Sequence, residues 1–167
     1  MIGAVIILAL VTLERIAELF LARRNTAGLM SRGAKEFAPG HYPLIVLLHA
    51  AWLAGLWALA WNRPIQWGWL AVFGGLQVLR VWVLATLGER WTTRIIIVPG
   101  ETLVRRGPYR FLSHPNYAVV VGEILVLPLV FGLPLYALAF SLANALVLWV
   151  RIRAETAALA SLTHADA

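Results

Sequence analysis

Two stretches of the chain hold residue types that could do chemistry. The first runs from Pro99-Gly100-Glu101 to Ser113-His114-Pro115-Asn116-Tyr117 and mixes turn formers, aromatic rings and ionisable groups; the second is Arg151-Ile152-Arg153-Ala154-Glu155. Pro115 biases His114 away from helical geometry, yet proline suits the first turn of a helix, so a helix is expected to begin beside His114. Free backbone N–H groups at such a start favour an anion, for example the carboxylate of an amino-acid-like cofactor. Arg151 and Glu155 are four residues apart and share a helix face. The arginine fork matches a carboxylate, and the glutamate accepts hydrogen bonds from an ammonium group, so the pair could orient two different ligands. Neither is a nucleophile. Structural alternatives stand beside these readings. His114 could brace the helix start, Arg151 and Arg153 could anchor a helix at a membrane surface, and Glu155 could make a surface helix pair worth about 0.2–0.5 kcal/mol.

Several chemistries lack support. The chain has no cysteine, which removes disulfides, thiolate metal sites and cysteine nucleophiles. It has no GxGxxG, no Walker lysine motif and no HExxH, and no metal is expected.

The elements that position these residues are read from hydropathy. Of 167 residues, 61% are hydrophobic and 13% charged, against roughly 45–50% and 25% in a soluble domain. Apolar stretches approach the roughly 20 residues that cross about 30 Å of hydrocarbon. The expectation is one all-α integral membrane domain of about five transmembrane helices, near residues 1–22, 42–61, 65–87, 116–131 and 134–152. The first is expected to be retained, since Glu14, Arg15 and Glu18 do not suit a cleaved signal. Arg23, Arg24, Arg32 and Lys35 then mark a loop, and Asn62-Arg63-Pro64 a tight turn. Residues 88–114 form a long basic connection, and Phe131-Gly132-Leu133-Pro134 breaks the last apolar run. Eleven Lys and Arg fall on one side of this topology and only Arg63 on the other, which predicts an outside N-terminus and a cytoplasmic C-terminus. The net charge of +6 is read as orienting the chain and touching lipid headgroups; nucleic acid is not expected as a partner.

Charged residues within the spans are expensive, about 2.5–3.5 kcal/mol for an arginine at a helix centre. Glu14, Arg15, Glu18, Arg80 and Glu123 are therefore expected to face protein or lie near an interface. Glu14 and Glu18 share a face and could pair with Arg80, or line a substrate cavity. His49, Gln77 and Asn144 are expected to be interhelical hydrogen-bond partners.

The order Leu103-Val104, Gly107-Pro108-Tyr109, His114-Pro115-Asn116-Tyr117, a helical hairpin, then Arg151-Ile152-Arg153-Ala154-Glu155 resembles the isoprenylcysteine carboxyl methyltransferase family. The resemblance covers roughly residues 90–159, and Arg90-Trp91-Thr92-Thr93-Arg94 resembles its short bacterial branch, some members of which methylate alkylpyrones. It implies S-adenosylmethionine as methyl donor, held by residues of about 90–117 and 151–159. It also implies a multi-pass location, with the bacterial inner membrane expected. By the same resemblance Arg94, Glu101, Thr102, Leu103, Val104, Tyr109, His114, Pro115, Asn116, Tyr117 and Glu155 match cofactor-contacting positions. Arg151 matches the substrate-orienting arginine, and Arg151 with Glu155 are the expected catalytic pair. Ser113 stands where many members carry arginine, and Thr156 where a second glutamate is usual.

The implied reaction is transfer of a methyl group to an oxygen of a lipophilic small molecule or prenylated substrate, with no obligate protein partner. Two other classes remain open: an NADPH-dependent sterol-type reductase, whose C-terminal region is similar, and a non-catalytic membrane subunit or carrier.

Overall fold

The computed structural model describes residues 2–102 and 104–163, with their side chains as far as residue 156 apart from His41. Five helices dominate: α1 (Ile2–Ser31), α2 (Tyr42–Ala60), α3 (Trp67–Leu87), α4 (Pro115–Val130) and α5 (Pro134–Thr163). Apolar side chains face outward, with Leu135 80% and Val78 71% exposed, while Arg80 and Glu123 are 3% and 4% exposed. That inversion suits a chain whose solvent is lipid, and the protein is an all-α integral membrane protein. Helices α2, α3 and α5 are each long and apolar enough to cross a membrane. Helix α1 has the length but carries Glu14, Arg15 and Glu18. Helix α4 has 16 residues, about 24 Å at 1.5 Å per residue. It packs against both α3 and α5, with Val119, Ile124, Leu127 and Val130 fully buried while Val121 and Leu125 stay exposed, so protein covers one side of it.

Helix α1 outruns the expected span. A loop was expected from Arg23, but the helix continues to Ser31, because charge marks where water begins and does not break a helix. Gly33 breaks it, at φ 84°. Its N–H reaches the Met30 carbonyl at 3.1 Å, and the Ala34 N–H reaches that of Leu29 at 3.1 Å, a Schellman ending. The α4–α5 turn uses the same device at Gly132, as its sequence suggested: Gly132 N–H bonds the Leu129 carbonyl and Leu133 N–H that of Pro128, both at 3.0 Å.

Beside the helices lies one small antiparallel sheet, β1 (Lys35–Phe37) with β2 (Ile95–Ile97), in which Lys35 faces Ile97 and Phe37 faces Ile95. The β-branched Ile95-Ile96-Ile97 run favours a strand, but its partner lies in the distant first connection. The sheet ties the two loops together at one end of the bundle.

Inside the bundle, Arg80 pairs with Glu18 at 2.8 Å, with Glu14 at 3.9 Å and with both oxygens of Glu123. Arg15 reaches Glu18 at 3.0 Å and Glu123 at 3.3 Å. Gln77 is an interhelical partner as expected, bonding Glu123 at 2.9 Å. His49 and Asn144 are not. His49 Nδ1 turns back to the Ile45 carbonyl of its own helix at 2.8 Å, the nearest acceptor one turn behind it. The Asn144 amide makes no hydrogen bond among the described residues, because it faces a cavity and not a neighbouring helix.

Candidate functional site

The long connection wraps over the loop end of the bundle and leaves a polar cleft of about 810 Å³. Its floor is the start of α4. As the sequence indicated, His114 precedes that helix and Pro115 occupies its first turn. The His114 carbonyl accepts from the N–H groups of Tyr117 at 3.1 Å and Ala118 at 3.3 Å. Among the described residues this leaves the Asn116 N–H as the free donor of the first turn. The His114 side chain does not cap the helix; its ring stacks on Tyr117, with centroids 5.1 Å apart, and Nδ1 lies 3.9 Å from Glu155.

Helix α5 brings Arg151 and Glu155 to the opposite wall. They do not form the direct pair their spacing suggested, because the Tyr117 hydroxyl stands between them. Arg151 Nε donates to that hydroxyl at 2.9 Å, and the hydroxyl in turn donates to Glu155. Arg151 Nη1 donates to the Thr93 carbonyl at 2.7 Å. The guanidinium is thereby fixed at two of its three nitrogens, and Nη2 has no bond among the described residues.

Of the residues singled out from the sequence, Arg94, Glu101, Thr102, Val104, Tyr109, His114, Asn116, Tyr117, Arg151 and Glu155 all line this cleft. Pro115 does not line it; it is buried beneath, because its role is to start the helix. Leu103 lies outside the described residues. The Arg94 guanidinium is engaged by Glu36 of β1 at 2.9 Å and stacks over Tyr42 at 4.6 Å, so it braces the wall. Burial, with the Glu155 carboxylate adding to it, pushes the Tyr109 phenol up to about 12, so it remains an uncharged hydroxyl near neutral pH.

The cleft also takes in residues of the expected 90–117 region that the sequence did not single out one by one. Arg90 bonds the Thr102 carbonyl at 2.9 Å and pairs with Glu101 at 3.0 Å, pinning the far loop. Trp91, Thr92, Ile95–Val98, Arg105, Arg110 and Ser113 line it too, with Leu29 and Leu87 from the helices. Apart from Arg90, Trp91 and Thr92, which stand in the resembling motif, the residues of the connection were signalled only by their position in it. Glu36 had no signal, being 58 residues from Arg94.

A second cavity, about 300 Å³ and mostly apolar, lies within the helices and is lined by residues such as Ile16, Leu19, Leu53, Val120, Val147 and Leu148. Trp91, Thr92, Asn116, Tyr117 and Arg151 border both spaces. A charged ligand in the cleft and an apolar one in the membrane cavity would therefore meet beside Arg151.

Among known proteins, the model of the isoprenylcysteine carboxyl methyltransferase family matches residues 69–161. The uncharacterized protein YpbQ of Bacillus subtilis (strain 168) is 42% identical over 160 residues, covering 92% of this chain and 95% of that protein. An uncharacterized protein of Haemophilus influenzae is 27% identical over 163 residues, 89% of this chain and 90% of that protein. No solved structure matches the chain. The family match takes in more than half the chain and runs from α3 through both walls of the cleft, and the chain belongs to the isoprenylcysteine carboxyl methyltransferase family of membrane proteins.

Proposed function

We propose that this protein is an S-adenosylmethionine-dependent O-methyltransferase whose acceptor is lipophilic, an isoprenylcysteine-type carboxylate or an alkylpyrone-type hydroxyl. The observation that carries the reading is the shared border of the two cavities at Asn116, Tyr117 and Arg151. A polar cleft suits a charged donor, an apolar cavity suits a greasy acceptor, and transfer needs both at one place.

The cleft has the groups such a donor requires. Glu155 offers a carboxylate to its ammonium, and the Asn116 N–H with Arg105 and Arg110 offers donors to its carboxylate. Trp91 and the Ile95–Val98 strip give apolar surface for its base. The volume of about 810 Å³ falls within the roughly 300–1,000 Å³ of small-molecule sites. S-adenosylmethionine bound there supplies an electrophilic sulfonium methyl group.

The chain's own part is alignment, which can contribute about 7–11 kcal/mol in well-oriented reactions. Tyr117 and the Thr93 carbonyl hold Arg151, whose free Nη2 aims the acceptor oxygen. A carboxylic acid with a pKa near 4 is ionised at neutral pH and needs no base. A hydroxyl with a pKa near 10 would pass its proton to His114 or Glu155. On this reading the cleft faces the cytoplasm, the chain sits in a bacterial inner membrane with its N-terminus outside, and neither nucleic acid nor an obligate protein partner is needed.

Calorimetric titration of the purified protein with S-adenosylmethionine and, separately, NADPH tests the donor. Saturable binding of the former alone is expected, and Glu155→Ala should weaken it about tenfold, the loss of one charge-assisted hydrogen bond. Binding of NADPH instead would favour a reductase, and binding of neither a carrier.

A further inference from the structure

The apolar cavity has a polar inner end that methyl transfer does not use. His49 is seven residues into α2 from Tyr42, and Asn144 is seven residues before Arg151 on α5. Tyr42 and Arg151 mark the loop end of the cavity, so both residues sit about 10 Å deeper.

Each presents an unsatisfied polar group. Asn144 is 4% exposed, and its amide has no hydrogen-bond partner among the described residues. His49 Nδ1 bonds the Ile45 carbonyl. A carbonyl only accepts, so the ring hydrogen is on Nδ1, and Nε2 of the neutral ring is an acceptor without a partner among the described residues. Both residues line the same cavity. Polar groups shut away from water are almost always paired, and these two face the cavity without a partner among the described residues.

We propose that Asn144 and His49 form a specificity subsite for a hydroxyl carried by the acceptor, about 10 Å from the oxygen that takes the methyl group. A hydroxyl at that depth donates to His49 Nε2 or accepts from the Asn144 amide. The acceptor is then an amphiphile with two oxygen functions spaced along an apolar body. A plain hydrocarbon chain leaves both protein groups unpaired and is disfavoured for that reason. The inference rests on reading this cavity as the acceptor site.

Ricinoleic and oleic acids differ by one mid-chain hydroxyl and serve as probes. Native mass spectrometry of the full chain in detergent, offered both acids at equal concentration, should show ricinoleic adducts in about tenfold excess. Asn144→Leu and, separately, His49→Phe should bring the ratio toward one. Equal occupancy in the wild type, no adduct of either acid, or a preference that survives both substitutions would overturn the subsite. If one variant fails to fold, the wild-type ratio and the other variant still decide. A failure of S-adenosylmethionine to bind, measured apart, would count against the methyl-transfer reading and leave this ratio interpretable.

Discussion

Arg151 has few degrees of freedom left. Its Nε and Nη1 are committed to Tyr117 and the Thr93 carbonyl, so whatever it aims, it aims from a fixed fork. The same Tyr117 hydroxyl links it to Glu155, and on the proposed reaction this couples the acceptor side of the site to the donor side. Tyr109 closes the cleft as a neutral ring. Its phenol is raised from 10.0 to about 12 by burial first and by Glu155 second, so the folded state holds a proton that the unfolded chain releases earlier. The Tyr109 contribution is therefore intact below pH 10 and is lost as pH rises through about 12. Melting curves across that alkaline window should fall less steeply for Tyr109→Phe than for the wild type, and parallel curves would contradict the assignment.

The turn over the cleft depends on how its loop docks on α3. Gly107 has φ 56°, and a Cβ there would come within 2.5 Å of Thr86 Oγ1 and 3.2 Å of Trp82 Nε1. Gly107→Ala should therefore cost at least the roughly 1–2 kcal/mol of a left-handed non-glycine residue. It should also weaken donor binding by displacing Tyr109, both readable from one thermal-shift titration. The helices that carry the site were legible because their signals are local: Pro115 starts α4, and Phe131-Gly132-Leu133-Pro134 ends it. Most of the cleft residues were legible from the ordered motif. What stayed hidden was long-range. The β1–β2 pairing, the Arg94–Glu36 ion pair and the Arg151 bond to the Thr93 carbonyl all join residues about 58 apart, and no periodicity records such contacts. The position of Tyr117 between Arg151 and Glu155 was hidden for the same reason, since their spacing alone suggested direct contact.

Across the whole bundle, charge is arranged in depth. Arg80 lies seven residues inside the end of α3 and Glu123 eight inside the start of α4, about 10–12 Å from the loop end. Glu14, Glu18 and Glu123 face Arg15 and Arg80 there, three carboxylates against two guanidiniums. This network joins α1, α3 and α4 below the site. Arg80→Leu should cost about 3–5 kcal/mol by stranding Glu123 and Glu18. The double variant Arg80→Leu, Glu123→Leu should melt above the single one, since it removes both partners; a lower melting point would deny the pairing. Methyl transfer from radiolabelled S-adenosylmethionine into a lipid extract tests most directly what the two cavities do together. Wild-type protein should move label into the organic phase. Arg151→Ala should lower that transfer about a hundredfold, as expected for a lost positioning contact, with donor affinity nearly unchanged. No label in lipid, or equal transfer by Arg151→Ala, would contradict the account.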